Sequence, residues 1–301
     1  MLVLGILNAQ KGFQFFASTA PSKGDSIKVI SFNVKVFDLY DWNNDDQTKD
    51  KIIAFIEQEN PDVVCFQEYY RGENIHFDVR EVLKSEAGLN YFSEKISVKR
   101  FYKKYNAYGH FGSAIFSKYP IIKTGSYDFK NDKSNHIAWV DILKNEDTLR
   151  VFNAHLGSIR LQNKDYQLIG GDDNKKWPSE KAEPQDFIAR VKNAYIKREA
   201  QVGTLKKLIE YSIHPAILCI DLNDVPNSYA YKQITSSLKD PFTTFGCGFG
   251  STYIGDNFFN RILPVNRIDY ILHSESLSAM NFVTYDISLS DHRPIGAEIT
   301  W

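Results

Sequence analysis

A chain of 301 residues, 43% hydrophobic and 14% aromatic, carries enough apolar side chain to bury a large core in one or two domains. Its net charge of −1 excludes a nucleic-acid-binding domain that works through a global basic field, although a local basic groove stays open. Its three cysteines, Cys65, Cys219 and Cys247, contain no Cys-x-x-Cys, which excludes a disulfide framework and a zinc site.

The chain begins with the apolar run Met1-Leu-Val-Leu-Gly-Ile-Leu7. No basic residue precedes it, so it makes a poor signal peptide, and it is too short to cross a bilayer. It reads as a frayed start or as the tail of a membrane segment. Residues 21–26 (Pro-Ser-Lys-Gly-Asp-Ser) read as a linker. The expected organisation is therefore an apolar segment and linker over 1–26 and one soluble catalytic domain over 27–301, with the compartment left open and association with a membrane or envelope through a preceding segment as an alternative. Residues 27–34 read as a strand with Asn33 near its end, and 36–50 as an aromatic, acidic loop. Residues 51–59 have helical spacing stopped by Asn60-Pro61. Residues 63–66 are an apolar strand that runs into Gln67-Glu68, and Cys65 within it reads as a small buried hydrophobe, as does Cys219 further on. Residues 77–87 are expected to be helical.

Residues 99–105 (Lys-Arg-Phe-Tyr-Lys-Lys-Tyr) interleave basic and aromatic side chains. Lys99, Arg100, Lys103 and Lys104 are candidates to follow a phosphate backbone while the rings stack on bases. The same stretch also reads as an edge strand guarded by charges. Strands are expected at 112–117, 138–143 and 149–155, the last ending in Asn153-Ala-His155. A polar loop follows over 165–182, then helical spacing over 184–211. Residues 216–220 form a buried strand that ends in Asp221-Leu222-Asn223-Asp224 before Pro226. Residues two apart on a strand share a face, so Asp221 and Asn223 are expected side by side at its C-terminal end. A carboxylate beside an amide can hold and deprotonate a water near an anion. The cluster also reads as a turn whose side chains bond their own backbone. Residues 228–238 have helical spacing, and the glycine-rich 246–250 reads as a turn without the spacing of a phosphate loop. A strand at 267–272 carries Asp269, and the turn Ser290-Asp-His-Arg-Pro294 precedes a last strand at 295–301. Many short strands, several ending in a polar residue, with helices between them fit a layered α/β sandwich.

The motifs Ser-Phe-Asn33, Phe-Gln-Glu68, Asn-Ala-His155-Leu, Asp221-x-Asn223-Asp-x-Pro, Arg-Ile-Asp269-Tyr and Ser-Asp291-His292-Arg-Pro resemble, in order, those of the endonuclease/exonuclease/phosphatase superfamily. That superfamily includes deoxyribonuclease I, AP endonucleases, neutral sphingomyelinases and inositol polyphosphate 5-phosphatases. The resemblance spans about residues 27–301 and departs at Ile220, where the family usually has glycine. It implies a four-layered α/β sandwich with two face-to-face mixed β-sheets flanked by helices. It also implies a Mg²⁺-dependent phosphoesterase, with Mn²⁺ as a substitute, that splits a P–O bond by in-line attack of water. By resemblance, Glu68 is the main metal ligand, and Asn33 and Asp291 complete the cation site directly or through water. Asp221 activates the water, and Asn223 holds the nucleophile or a phosphate oxygen. His292, paired with Asp269, donates to the phosphate, and His155 binds a phosphate oxygen or protonates the leaving group. Asp269 has an alternative partner in Arg267, two residues away on its strand. His76, His110, His136, His214 and His273 match no motif and are expected at the surface or satisfied in the core.

The expected partner is a phosphodiester substrate, with no obligate protein partner and a monomeric chain. The Lys99–Tyr105 stretch points to a nucleic acid. The aromatics Phe37, Tyr40 and Trp42 in an exposed loop, the near-neutral charge and the apolar start point to a phospholipid or sphingolipid, and inositol phosphates are a third class. A non-catalytic binding module on the same fold is expected to lose Glu68, Asp221 or His292, and all three are present.

Overall fold

The computed structural model describes residues 11–16, 18–20, 24–42, 45–73, 77–103, 106–130, 132–159, 183–255 and 266–301. The expectations for residues 1–10, His76, Lys104, Tyr105 and the 165–182 loop lie outside these.

Among the described residues, eleven strands pair into two sheets. One holds β1 (Ser26–Asn33), β2 (Val63–Gly72), β3 (Tyr91–Tyr102), β4 (Ala107–Ser117), β10 (Ser278–Thr284) and β11 (Ile295–Thr300), in the order β10-β11-β1-β2-β4-β3. The other holds β5 (Ile121–Asp128), β6 (His136–Lys144), β7 (Asp147–His155), β8 (Ala216–Asp221) and β9 (Asp269–His273), in chain order. Five helices accompany them: α1 (Thr48–Glu59), α2 (Arg80–Ala87), α3 (Pro184–Glu210), α4 (Tyr229–Ile234) and α5 (Phe242–Phe245). None of the described helices is long and apolar enough to cross a membrane.

Strand alternation builds four layers. Val29, Cys65 and Ile115 point inward and meet Val140, Val151, Ile217 and Cys219 of the facing sheet. The alternate residues Ile30, Val64 and Phe66 point outward and pack on Ile52 and Ile56 of α1 and Leu83 of α2. On the far side Phe152, Leu218 and Ile220 pack on Val202 and Leu205 of α3 and Tyr231 of α4. Each such fully buried side chain contributes about 1.5–3 kcal/mol. Helix α1 stops where Asn60 turns left-handed (φ 48°) and its N–H closes back on Ile56 and Glu57, ahead of Pro61.

Pairing direction decides what meets at the site. β1 runs parallel to β2, and β7 runs parallel to β8. Their C-terminal ends, with Asn33, Glu68, His155 and Asp221, therefore emerge at one rim. β9 is antiparallel to β8 and β11 is antiparallel to β1, so their N-terminal ends arrive at the same rim. Asp269 is thereby paired directly with Asp221.

Several elements differ from the sequence reading. β5 had no visible pattern because it is an edge strand with most side chains exposed. β10 went unread as well; it is an edge strand whose register shifts between Ala279 and Asn281, which interrupts the alternation. The first helix starts earlier, at Thr48, and the second starts later, at Arg80. The helix expected over 228–238 shortens to Tyr229–Ile234, with the Ser228 hydroxyl capping the Tyr231 N–H. Phe37, expected in an exposed loop, is buried edge-on against Phe66 at 5.5 Å.

The described histidines outside the motifs have partners. His110 meets Glu73 at 2.6 Å, His273 bonds the Ser274 carbonyl at 2.9 Å, and half-buried His214 lies 4.0 Å from Asp141. His136 is buried between the hydroxyls of Ser97 (2.7 Å) and Ser113 (2.6 Å). Burial, reinforced by the neighbouring His155 and Lys95, drives its imidazole down to about 4. The unfolded chain therefore binds a proton here that the folded chain refuses between about pH 6.5 and 4, and stability falls as pH falls through that window. The cost reaches about 3 kcal/mol by pH 4. Chemical denaturation of the protein and of His136→Gln at pH 7, 6, 5 and 4 is expected to show a steeper loss for the native residue. Parallel curves would refute this.

Candidate active site

The left-handed backbone of Glu68 is the first determinant of the site. Pairing of β2 with β4 jumps from Phe66↔Ala114 to Tyr69↔Gly112, so one strand bulges at Gln67-Glu68. Glu68 takes φ 48° and faces the cleft with its side chain 41% exposed. The bulge is pinned from below. The Gln67 amide donates to Ser31 Oγ (3.0 Å) and to Asn153 Oδ1 (2.8 Å), while the Asn153 amide donates to the carbonyls of Phe66 and Ala114.

Beyond β1 the chain makes a left-handed turn in which Lys35, Val36, Phe37 and Asp38 have φ of 44°, 51°, 55° and 59°. That conformation costs roughly 1–2 kcal/mol per residue. Burial of Val36 and Phe37 offsets it, as does Asp38, whose carboxylate accepts the Trp42 N–H at 2.9 Å. The turn places Lys35 Nζ 3.1 Å from Asp291. Ser290 ties the same loop to β1 by donating to the Asn33 carbonyl at 2.8 Å.

Asp221 is buried at the centre. It accepts from the Asn33 amide (2.9 Å) and from the Asn223 N–H (3.0 Å). The strand-face expectation for Asn223 is corrected here. β8 ends at Asp221, and Asn223 sits beyond it at φ 54° with its amide on the Leu156 carbonyl. The self-bonded turn and the shared cavity wall are both present, because asparagine tolerates the left-handed region. Burial, with the Asp269 charge alongside, raises Asp221 to about 6 against the pull of His292, His155 and the Asn33 amide.

His292 Nδ1 lies 2.8 Å from Asp269 and Nε2 lies 3.9 Å from Asp221. Burial opposes charge on this ring, but Asp269 and Asp221 outweigh it and raise the imidazole to about 10. Thr252 Oγ accepts the N–H groups of Ile268 and Asp269, and the Tyr253 ring stands edge-on to His292 at 5.2 Å. The alternative partner for Asp269 is ruled out by position, since Arg267 turns away to Asp240 at 2.8 Å. Donor atoms of Asp221, Asp269 and His292 all lie within 4.8 Å of one another, a spacing a cation would also accept. Asp269 and the His292 ring are already bonded to each other.

His155 Nε2 is 3.5 Å from Asp221 and 3.9 Å from Glu68. All eight motif residues thus meet at one rim, around two cavities. A cavity of about 430 Å³ is walled by Glu68, His155, Asp221, Asn223, Asp291 and His292. A second, of about 340 Å³, shares Glu68 and His155 with it and continues along Val36, Tyr40, Val98, Arg100 and Phe111. The described residues of the basic stretch do not form one face. Arg100 lines this second cavity, whereas strand alternation turns Lys99 toward Glu73, and Lys103 lies past the end of β3. β3 is an edge strand, as the alternative reading had it.

The motifs did not mark α3 as part of the site. Its buried Arg198 donates to Asp224 (3.1 Å) and to the Gly157 carbonyl (2.9 Å), while Gln201 accepts the Gly157 N–H at 2.8 Å. These contacts hold the loops that leave β7 and β8. The available signal was a charged residue on the buried stripe of an amphipathic helix.

The model of the endonuclease/exonuclease/phosphatase family matches residues 30–292. Solved structures with this fold include an endonuclease/exonuclease/phosphatase from Beutenbergia cavernae (16% identity, TM-score 0.62, covering 91% of this chain and 71% of that one). D. rerio TDP2 complexed with single-strand DNA product is similar at 16% identity and TM-score 0.61, covering 92% and 100%. The human Nocturnin catalytic domain with bound sulfate is similar at 16% and 0.59, covering 97% of each. No curated protein sequence matches. With the family's sequence pattern running through nearly the whole domain on the matching fold, the chain belongs to the endonuclease/exonuclease/phosphatase family and is a hydrolase of phosphoric ester bonds.

Proposed function

We propose that the chain hydrolyses phosphodiesters by in-line attack of a water held at Asp221 and Asn223, with a divalent cation at Glu68. The observation that carries this reading is the relay His292–Asp269 (2.8 Å) facing Glu68 across one cavity with Asp221 between them. Asp221 takes the proton of the attacking water, and Asn223 holds the water in line. His292 donates to a non-bridging oxygen as charge builds there, with Asp269 fixing its ring. His155 returns a proton to the departing oxygen.

Glu68, Asp291 and Asn33 offer oxygen donors only, the set that Mg²⁺ takes together with water and substrate phosphate, with Mn²⁺ as its substitute. Among the described residues Glu68 has no ion pair shorter than 3.9 Å, so its carboxylate is available. When bound, the cation supplies positive charge for the phosphoryl and leaving oxygens.

Nucleic acid is the favoured substrate. Arg100 lines the second cavity, and the exposed pairs Tyr40–Trp42 and Phe101–Tyr108 stand on β3, β4 and the loop after β1. Phe15 and Phe16, 78% and 84% exposed, favour a second reading, a lipid phosphodiester. Hydrolysis of plasmid DNA, abasic DNA, RNA, sphingomyelin, inositol phosphates and bis-p-nitrophenyl phosphate tests both. Turnover of the nitrophenyl diester and of a nucleic acid is expected with Mg²⁺ or Mn²⁺ and none in excess EDTA. Full activity in EDTA would refute the cation, and cleavage of sphingomyelin alone would replace the first reading by the second.

A further inference from the structure

We infer that the 340 Å³ cavity receives the leaving group and selects leaving groups that carry an uncharged planar ring, either a nucleobase or an aryl group. The inference rests on the phosphodiesterase reading above. Two observations carry it. The first is the division of the cleft. Asp221, Asn223 and His292 line only the larger cavity, while Glu68 and His155 line both. In-line displacement puts attacking and departing oxygens on opposite sides of phosphorus. With water held at Asp221 and phosphorus beside Glu68 and His155, the departing oxygen points into the smaller cavity. There the P–O bond breaks, the new P–O bond to water forms on the opposite side, and His155 supplies the proton that the alcohol or phenol carries away.

The second observation is what lines that cavity. Val36, Tyr40, Val98 and Phe111 form apolar walls, and its volume falls within the small-molecule range of about 300–1,000 Å³. Tyr40 is pinned by its hydroxyl 3.0 Å from that of Tyr102, so it offers a fixed ring face. Arg100 also lines the wall, and its guanidinium lies over the Tyr102 ring at 5.5 Å, an arrangement suited to stacking. A second phosphate or a sugar rich in hydroxyls would leave these apolar walls unsatisfied, whereas a flat ring fills them.

Val98 is 39% exposed on the edge strand β3, and Tyr40 is exposed on its loop, so Val98→Asp and Tyr40→Ala are expected to fold, with thermal midpoints near that of the wild type. Three diesters are compared: methyl p-nitrophenyl phosphate, a thymidine dinucleotide, and methyl trifluoroethyl phosphate, which has no ring. Both variants are expected to lower kcat/KM on at least one ring-bearing substrate about tenfold more than on the trifluoroethyl ester, chiefly through KM. Loss on the nitrophenyl ester alone assigns an aryl ester, loss on the dinucleotide alone assigns a nucleotide, and either supports the proposal. Binding of 2-naphthol in EDTA, followed by calorimetry, is expected to weaken about tenfold in both variants. Equal losses on all three esters, or naphthol binding unchanged, would overturn the assignment of the cavity while leaving the phosphodiesterase reading intact. A wild type that cleaves none of the three would overturn that reading, and this inference with it.

Discussion

Glu68→Gln is expected to lower kcat/KM by on the order of 10³-fold, the scale of several kcal/mol that a cation contributes to a charged transition state. The substitution keeps the volume and the oxygen of the side chain and removes only its charge. The backbone at Glu68 is left-handed, but glutamine meets the same φ of 48° with the same strain. The side chain is 41% exposed and holds no short ion pair, so the thermal midpoint should stay close to that of the wild type. Initial rates over a Mg²⁺ titration check the result. If Glu68 acts through the cation, raising Mg²⁺ recovers part of the loss. A variant as active as the wild type at limiting Mg²⁺ would place the cation elsewhere. Asp291→Asn is the informative contrast. That carboxylate already faces Lys35 at 3.1 Å, so the substitution also removes an ion pair and should show a stability change that Glu68→Gln does not.

The second large effect is expected at the relay. Asp269→Asn should lower turnover by about 10²-fold or more, and His292→Ala at least as much, the range for losing a positioned proton donor. The double variant should be little worse than His292→Ala alone. If Asp269 acts by orienting and charging the His292 ring 2.8 Å away, that contribution has nothing to act on once the ring is gone. Asparagine can still accept the Nδ1–H but no longer carries the charge that favours the imidazolium. The cycle is measured as kcat/KM for the two single variants and the double on bis-p-nitrophenyl phosphate, with folding verified by thermal melting. A double loss equal to the product of the two single losses would return Asp269 to a structural role.

Much of the candidate site was legible because its residues follow apolar runs. Val63 to Phe66 is continuous and buried, and Glu68 follows within two residues; Ala216 to Ile220 is the same, and Asp221 comes next. A polar residue that interrupts or ends a buried apolar run is a local signal, although β2 continues past Glu68 to Gly72, and so is the αL stop at Asn60 before Pro61. Local order was enough to expect layers of strands and helices, and the ordered motifs were enough to identify the family. Scaffold residues escaped for the converse reason. Gln67, Asn153 and Arg198 look like ordinary polar residues until the partners that bury them are known.

What only the tertiary structure decided is pairing. Arg267 was as near in sequence to Asp269 as a partner can be on one strand face, yet Asp269 takes His292, 23 residues away, and Arg267 takes Asp240. The Asn33–Asp221 bond spans 188 residues. Alternation on an edge strand divided Lys99 from Arg100, and packing against Phe66 drew Phe37 out of the exposed loop. Periodicity and chain stops are properties of neighbours along the chain and are written in it. The register of one strand on the next, the direction of a bulge and the occupant of a buried carboxylate depend on segments far apart in sequence, and those are settled only when two sheets close over a common core.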